Sequence, residues 1–117
     1  MAAAFSPAAF AQEWVAAWNA HDLERILSHY AEDVVFISPR AQQIVGTARL
    51  EGKPALRAYW GKALSLLPDL HFDLETVFEG VGRVTLIYSR RGAGRAAETF
   101  VFGEDGLVVE SMACYAP

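Results

Sequence analysis

The chain has 117 residues, 53% hydrophobic and 21% charged, with a formal net charge of −4. That balance belongs to one ordered globular domain over residues 1–117, long enough for its own core. The charge leaves no electrostatic footprint for nucleic acid, and no apolar run reaches the ~20 residues of a membrane span. The single cysteine, Cys114, excludes an internal disulfide and fits a reducing, cytoplasmic location. The opening MAAAFSPAAF lacks a basic n-region, and Ser6-Pro7 interrupts it, so no signal peptide is expected.

Ser6-Pro7 reads as a helix start, a capping hydroxyl followed by proline at the first helical position. Phe10, Trp14, Ala17 and Trp18 then form one apolar stripe. Asn19 to Asp22 breaks it, and Asp22 caps a second predicted helix carrying Leu23, Ile26, Leu27, Tyr30 and Ala31. Val34 to Ile37 is a β-branched and aromatic strand ended by Pro39. Residues 39–52 are predicted to be an irregular loop. A third helix starts near Lys53 and places Leu56, Tyr59, Trp60, Ala63, Leu64 and Leu67 on one face before Pro68 stops it.

From Leu70 the period becomes two: Leu70, Phe72, Leu74 and Phe78 alternate with His71, Asp73, Glu75 and Glu79. Gly80-Val81-Gly82 turns into a strand over Arg83–Arg90. Gly92-Ala93-Gly94 turns into Arg95–Phe102, and Glu104-Asp105-Gly106 into Leu107–Tyr115. Helices first and an antiparallel meander second make an α+β pattern. Three N-terminal helices packed on a strongly curved, mostly antiparallel sheet would enclose a cone-shaped cavity. The basic cluster Arg90, Arg91 and Arg95 falls in a Gly-rich turn and reads as solvated loop.

The run W-V-A-A-W-N-A-H-D-L-E-R-I-L-S-H-Y-A-E-D-V-V-F-I-S-P resembles the opening of nuclear transport factor 2-like, or SnoaL-like, domains. So do G-K-P-A-L-R-A-Y-W and E-T-F-V-F-G-E-D-G-L-V-V; the resemblance spans Phe10 to Tyr115. It implies a cone of helices on a bent sheet, a homodimer formed through that sheet, and a pocket for an apolar molecule. Members include ketosteroid isomerases, polyketide cyclases, epoxide hydrolases and dehydratases, beside non-catalytic proteins, so the fold alone names no reaction. Against the isomerases, Tyr30 matches a tyrosine of their hydrogen-bond network, and Glu98 an acidic residue of their oxyanion hole. Ser38 stands where they carry an aspartate base, and Trp14 where they carry a carbonyl-polarising tyrosine. A serine with no base beside it abstracts no α-proton at neutral pH. The isomerase mechanism therefore lacks its base.

Read from the residues, Glu98 shares its strand face with Ala96, Phe100 and Phe102, where desolvation raises a carboxyl's pKa. It is the candidate acid/base, with Tyr30 or Trp14 as donor; the alternative is a buried glutamate paired for structure. The predicted pocket is Trp14, Trp18, Tyr30, Phe36, Ser38, Tyr59, Trp60, Glu98, Phe100, Met112 and Cys114. The same aromatic residues at helical spacing are equally what a filled core requires. His21, His29 and His71 read as turn or surface residues. Three scattered histidines and one cysteine have no metal-ligand spacing, so neither metal nor cofactor is expected. The remaining faces of the last strands, Thr85 and Ile87, Ala97, Thr99 and Val101, and Val109, Ala113 and Tyr115, would form the dimer surface. Three functions stay open: a binder of an apolar small molecule, an isomerase, cyclase, dehydratase or hydrolase working through Glu98, or a non-catalytic interaction module.

Overall fold

The computed structural model describes residues 5–117. Helix α1 (Pro7–Asn19) begins as the sequence predicts: Ser6 Oγ accepts from the amide of Ala9, with Pro7 at the first helical position, a cap worth about 1 kcal/mol. At its end, Asn19 closes both backbone groups of Phe72, donating to its carbonyl at 2.9 Å and accepting from its amide at 2.8 Å. His21, at φ 54°, turns the chain and places Nε2 2.8 Å from the Leu70 carbonyl. These contacts lock the α1 terminus to the start of the third strand.

Helix α2 (Leu23–Leu27) is capped by Asp22 and is shorter than predicted. Tyr30 and Ala31, expected on it, instead open strand β1 (Tyr30–Ile37), where Tyr30 pairs with Val108. Glu13 ties α1 to α2 and to the turn after it, 2.6 Å from Arg25 and 3.3 Å from His29. The Arg25 hydrogen bond chiefly holds its carboxyl down, at about 2.

Residues 39–52 are not an irregular loop. They contain helix α3 (Pro39–Val45) and strand β2 (Arg49–Glu51). Ser38-Pro39 repeats the start signal of Ser6-Pro7, and Gly46, at φ 84°, supplies the left-handed exit. Helix α4 (Lys53–Leu66) comes next, as predicted, with Leu56, Tyr59, Trp60 and Ala63 buried.

The remaining strands are β3 (Phe72–Gly80), β4 (Arg83–Arg90), β5 (Gly94–Phe102) and β6 (Val108–Tyr115). The sheet order is β2-β1-β6-β5-β4-β3. All neighbours are antiparallel except β1 and β6, which run parallel. The fold is α+β: four described helices, one more than predicted, lie on a curved, unclosed six-stranded sheet. No described helix is long and apolar enough to cross a membrane.

Two bulges change which side chains face the helices. In β3, Leu74 pairs with Tyr88 and Thr76 with Ile87, so Glu75 is an extra residue. Beyond it Phe78, expected on the inner face, is 60% exposed, while Val77 packs against the core. In β6, Val101 pairs with Glu110 and Phe102 with Val108, leaving Val109 extra. One added residue inverts everything after it. Val108, Ser111 and Ala113 are therefore buried, and Met112 and Cys114 are exposed.

Candidate functional site

Strand register arranges the inner face of the sheet in rows. Tyr88, Ala96 and Tyr115 lie side by side; Leu86, Glu98 and Ala113 form the next row; Val84, Phe100 and Ser111 the one below. Arg90 extends the β4 column beyond Tyr88, paired with Gly94. Over these rows α1 lays Trp14 and Trp18, and α4 lays Tyr59 and Trp60. Trp18 and Trp60 meet edge to face at 5.3 Å, and Trp14 stacks on Phe72 at 5.7 Å.

Between helices and sheet remains a cavity of about 110 Å³. Its apolar wall is Trp14, Trp18, Phe36, Trp60, Ala63, Leu67, Leu70 and Phe72, and its polar wall is Tyr59, Tyr88, Glu98 and Tyr115. Arg40, His71, Arg90, Arg91 and Ala93 rim it. The exposed Arg91 and Ala93 mark the side that meets solvent.

Glu98 is the buried carboxyl of this wall. One oxygen accepts from Tyr88 Oη at 3.1 Å and the other from Ser111 Oγ at 3.3 Å. Burial pushes its pKa up to about 7, against the pull of those two hydrogen bonds. Burial and then the nearby Glu98 raise Tyr30 and Tyr88 well above the usual phenol range. Near neutrality the phenols keep their protons while the carboxyl divides between its two forms, the condition for giving or taking a proton at working pH. Tyr115 is raised by burial, with Ser38, Arg40 and Arg90 opposing.

Of the predicted site residues, Trp14, Trp18, Phe36, Tyr59, Trp60 and Glu98 stand together on the cavity. Tyr30 sits behind them, fully buried; its hydroxyl accepts from Trp14 Nε1 at 3.0 Å and its ring meets Trp60 at 5.0 Å. Phe100 is also fully buried, edge to face with Trp14 at 5.3 Å and Phe10 at 5.0 Å, a core residue beneath the floor. Ser38 is committed elsewhere: Oγ accepts from the Arg40 amide as the cap of α3 and lies 3.2 Å from Tyr115 Oη. Met112 and Cys114 do not belong to the cavity, because the Val109 bulge turns them to the outer face. The same inversion removes Ala113 and Tyr115 from the outer face, where simple alternation puts them.

Sequence reasoning misses Tyr88, Tyr115, Arg40, His71, Arg90 and Arg91. A signal exists for two of these. In β4, Tyr88 and Arg90 share parity with the buried Val84 and Leu86, although the Gly-rich neighbours of Arg90 suggest a solvated turn. His71 precedes β3 rather than lying on its wet face, and its Nε2 is 3.4 Å from Asp73. Among the described residues, no three His, Cys, Asp or Glu side chains are grouped to hold a metal ion.

Residues 11–111 match the SnoaL-like domain family. The chain is similar to a SnoaL-like protein of unknown function from Burkholderia thailandensis, at 45% identity over 95% of each chain and a TM-score of 0.89. It shares its fold with an NTF2-like protein of unknown function from Cytophaga hutchinsonii: 16% identity, 100% of this chain and 96% of that one, TM-score 0.73. The same holds for a protein of ketosteroid isomerase-like fold from Catenulispora acidiphila in complex with trimethylamine: 12% identity, 95% and 88% covered, TM-score 0.74. No curated protein matches the sequence.

Proposed function

The chain belongs to the SnoaL-like domain family, and from that premise we propose that it binds a small, mainly apolar molecule between its helices and sheet. The observation that carries this reading is Glu98, a carboxyl buried on the wall of a cavity whose inner lining is mainly aromatic and aliphatic. A filled core gains nothing from a desolvated acid, whereas a site with few convergent polar groups uses one for orientation or proton transfer. The size bounds the ligand. About 110 Å³ is less than the ~150 Å³ that accepts benzene in an engineered apolar cavity. The enclosed space therefore excludes a fused polycycle, and a single ring would have to extend into the open mouth beside Arg91 and Ala93.

Catalysis is the second reading, favoured by the near-neutral pKa of Glu98. Glu98 is the acid/base of this scheme. Tyr88, which touches its carboxyl, replaces Tyr30 as the phenol beside the reacting centre, since Trp14 stands between Tyr30 and the cavity. Glu98→Gln separates the readings: retained ligand binding with lost turnover identifies an enzyme, and unchanged turnover removes Glu98 from the chemistry. The molecule itself is found by native mass spectrometry of the purified protein. A second chain packed on the outer sheet face is also proposed, as an isologous dimer. Thr85, Ile87, Ala97, Thr99 and Val101, now joined by Met112 and Cys114, give that face an uncharged centre.

A further inference from the structure

We propose that the molecule held in the cavity is a small organic carboxylate, its body no larger than one ring and its anionic group docked on Arg90 and Arg40 at the mouth. This deepens the small-molecule reading above and rests on it.

Among the described residues, two buried side-chain donors have no hydrogen-bond partner in the protein: Arg90 Nε and Trp18 Nε1. Both residues line the same cavity. Orphaned buried donors are uncommon because desolvating them without an acceptor is unfavourable. An acceptor entering the cavity completes them.

The charge of that acceptor is set by the arginines. Arg25, Arg49, Arg57 and Arg95 each lie within 4.0 Å of a carboxylate, whereas among the described residues none of Arg40, Arg90 and Arg91 forms an ion pair. Arg90 is held in place all the same. Its Nη2 donates to the Ala93 carbonyl at 2.7 Å, and its guanidinium lies 4.1 Å from the Tyr115 ring centroid. Arg40 approaches the same ring at 5.9 Å. Two guanidinium groups directed onto one phenol, neither of them ion-paired among the described residues, create a positive potential at the mouth that favours an anion, opposed by Glu98 at the floor when that carboxyl is ionised. A planar guanidinium with Nε free is matched by a carboxylate oxygen.

The rest of the cavity sets the body. Below the mouth the wall is Trp18, Trp60 and Phe72, which favours an apolar or aromatic frame over a bare inorganic anion. Along β4, Arg90 is four residues from Leu86, the partner of Glu98, so mouth and floor are about 13 Å apart on the backbone.

The test is isothermal titration of the full chain with sodium benzoate, benzamide and inorganic phosphate, on wild type, Arg90→Met and Arg40→Met. Folding of each variant is checked by circular dichroism, and Arg40→Met serves if Arg90→Met does not fold. The expected result is that benzoate binds at least tenfold more tightly than benzamide. Either substitution should erase that preference while benzamide binding stays within twofold. Equal affinity for benzoate and benzamide would overturn the anionic site and leave the small-molecule reading standing. Phosphate binding as tight as benzoate overturns the organic body. If none of the three binds at millimolar concentration, the carboxylate proposal fails, while native mass spectrometry of the purified protein decides the small-molecule reading separately.

Discussion

At the floor of the cavity Glu98 accepts from Tyr88 and Ser111, so its carboxyl is held by partners from the same chain. At the mouth Arg90 is stacked and tethered through one nitrogen, but among the described residues its Nε finds no acceptor and it forms no ion pair. Both ends present charge-capable groups to one small space. Folding itself completes the floor network; the mouth, on the proposal above, is completed by a ligand. Substitutions at the two ends should therefore be felt in different measurements.

The largest expected effect tests the floor through pH. Glu98 has a folded-state pKa of about 7 against an ordinary 4.5, so the folded state binds this proton more tightly than the unfolded chain does. Stability then falls as pH rises from about 4.5 to about 7, by up to about 3 kcal/mol, and the loss is complete above that window. Glu98→Gln cannot ionise and should lack the decline in urea unfolding at pH 4.5 and pH 8. Glu13, lowered to about 2, has the opposite sign and is common to both proteins, so it cancels. An identical pH profile for the two proteins would mean that water reaches the floor.

Next in size, Tyr88→Phe removes one donor from the carboxyl and should cost about 1–2 kcal/mol at pH 8. Because that hydrogen bond holds Glu98 down, its carboxyl should titrate still higher in ¹³C NMR. Arg90→Met, at the other end, should alter stability by no more than about 1 kcal/mol, the scale of a partly exposed cation over a ring. A larger loss in a thermal melt would show that the mouth is structural like the floor. The smallest expected effect on the cavity comes from Ile87→Glu, on the opposite face of β4 from Tyr88 and Arg90. Ligand affinity should stay within twofold while light scattering reports monomers in place of the proposed dimer. An unchanged particle mass would move any dimer contact off this face.

Legibility in the sequence tracks the regularity of the backbone. Strand β5 keeps its alternation through residues 96–100, so parity alone places Glu98 inside among apolar neighbours. Strand β6 does not, and nothing local marks Val109 as an added residue; parity puts Met112 and Cys114 on the wrong face for that reason. The Glu75 bulge misleads in the same way about Phe78. Tyr30 falls at i+4 from Ile26, which suits a helical stripe. Its pairing with Val108, far along the chain, decides that it is strand. Ser38-Pro39 is legible as a helix start, yet after Val34 to Ile37 it reads first as a strand end. The mouth is hidden for a different reason. Arg90 looks solvated in a Gly-rich turn, and only the approach of Tyr115 from another strand shows that it is held over the cavity.

The arrangement of Trp14, Trp18 and Trp60 has a practical consequence. The chain has three tryptophans, and all three line the cavity. Tryptophan emission from this protein therefore comes wholly from the walls of the cavity. Anything that enters changes the polarity around, or collides with, every emitting indole at once, so the protein reports occupancy of its own cavity without an attached dye.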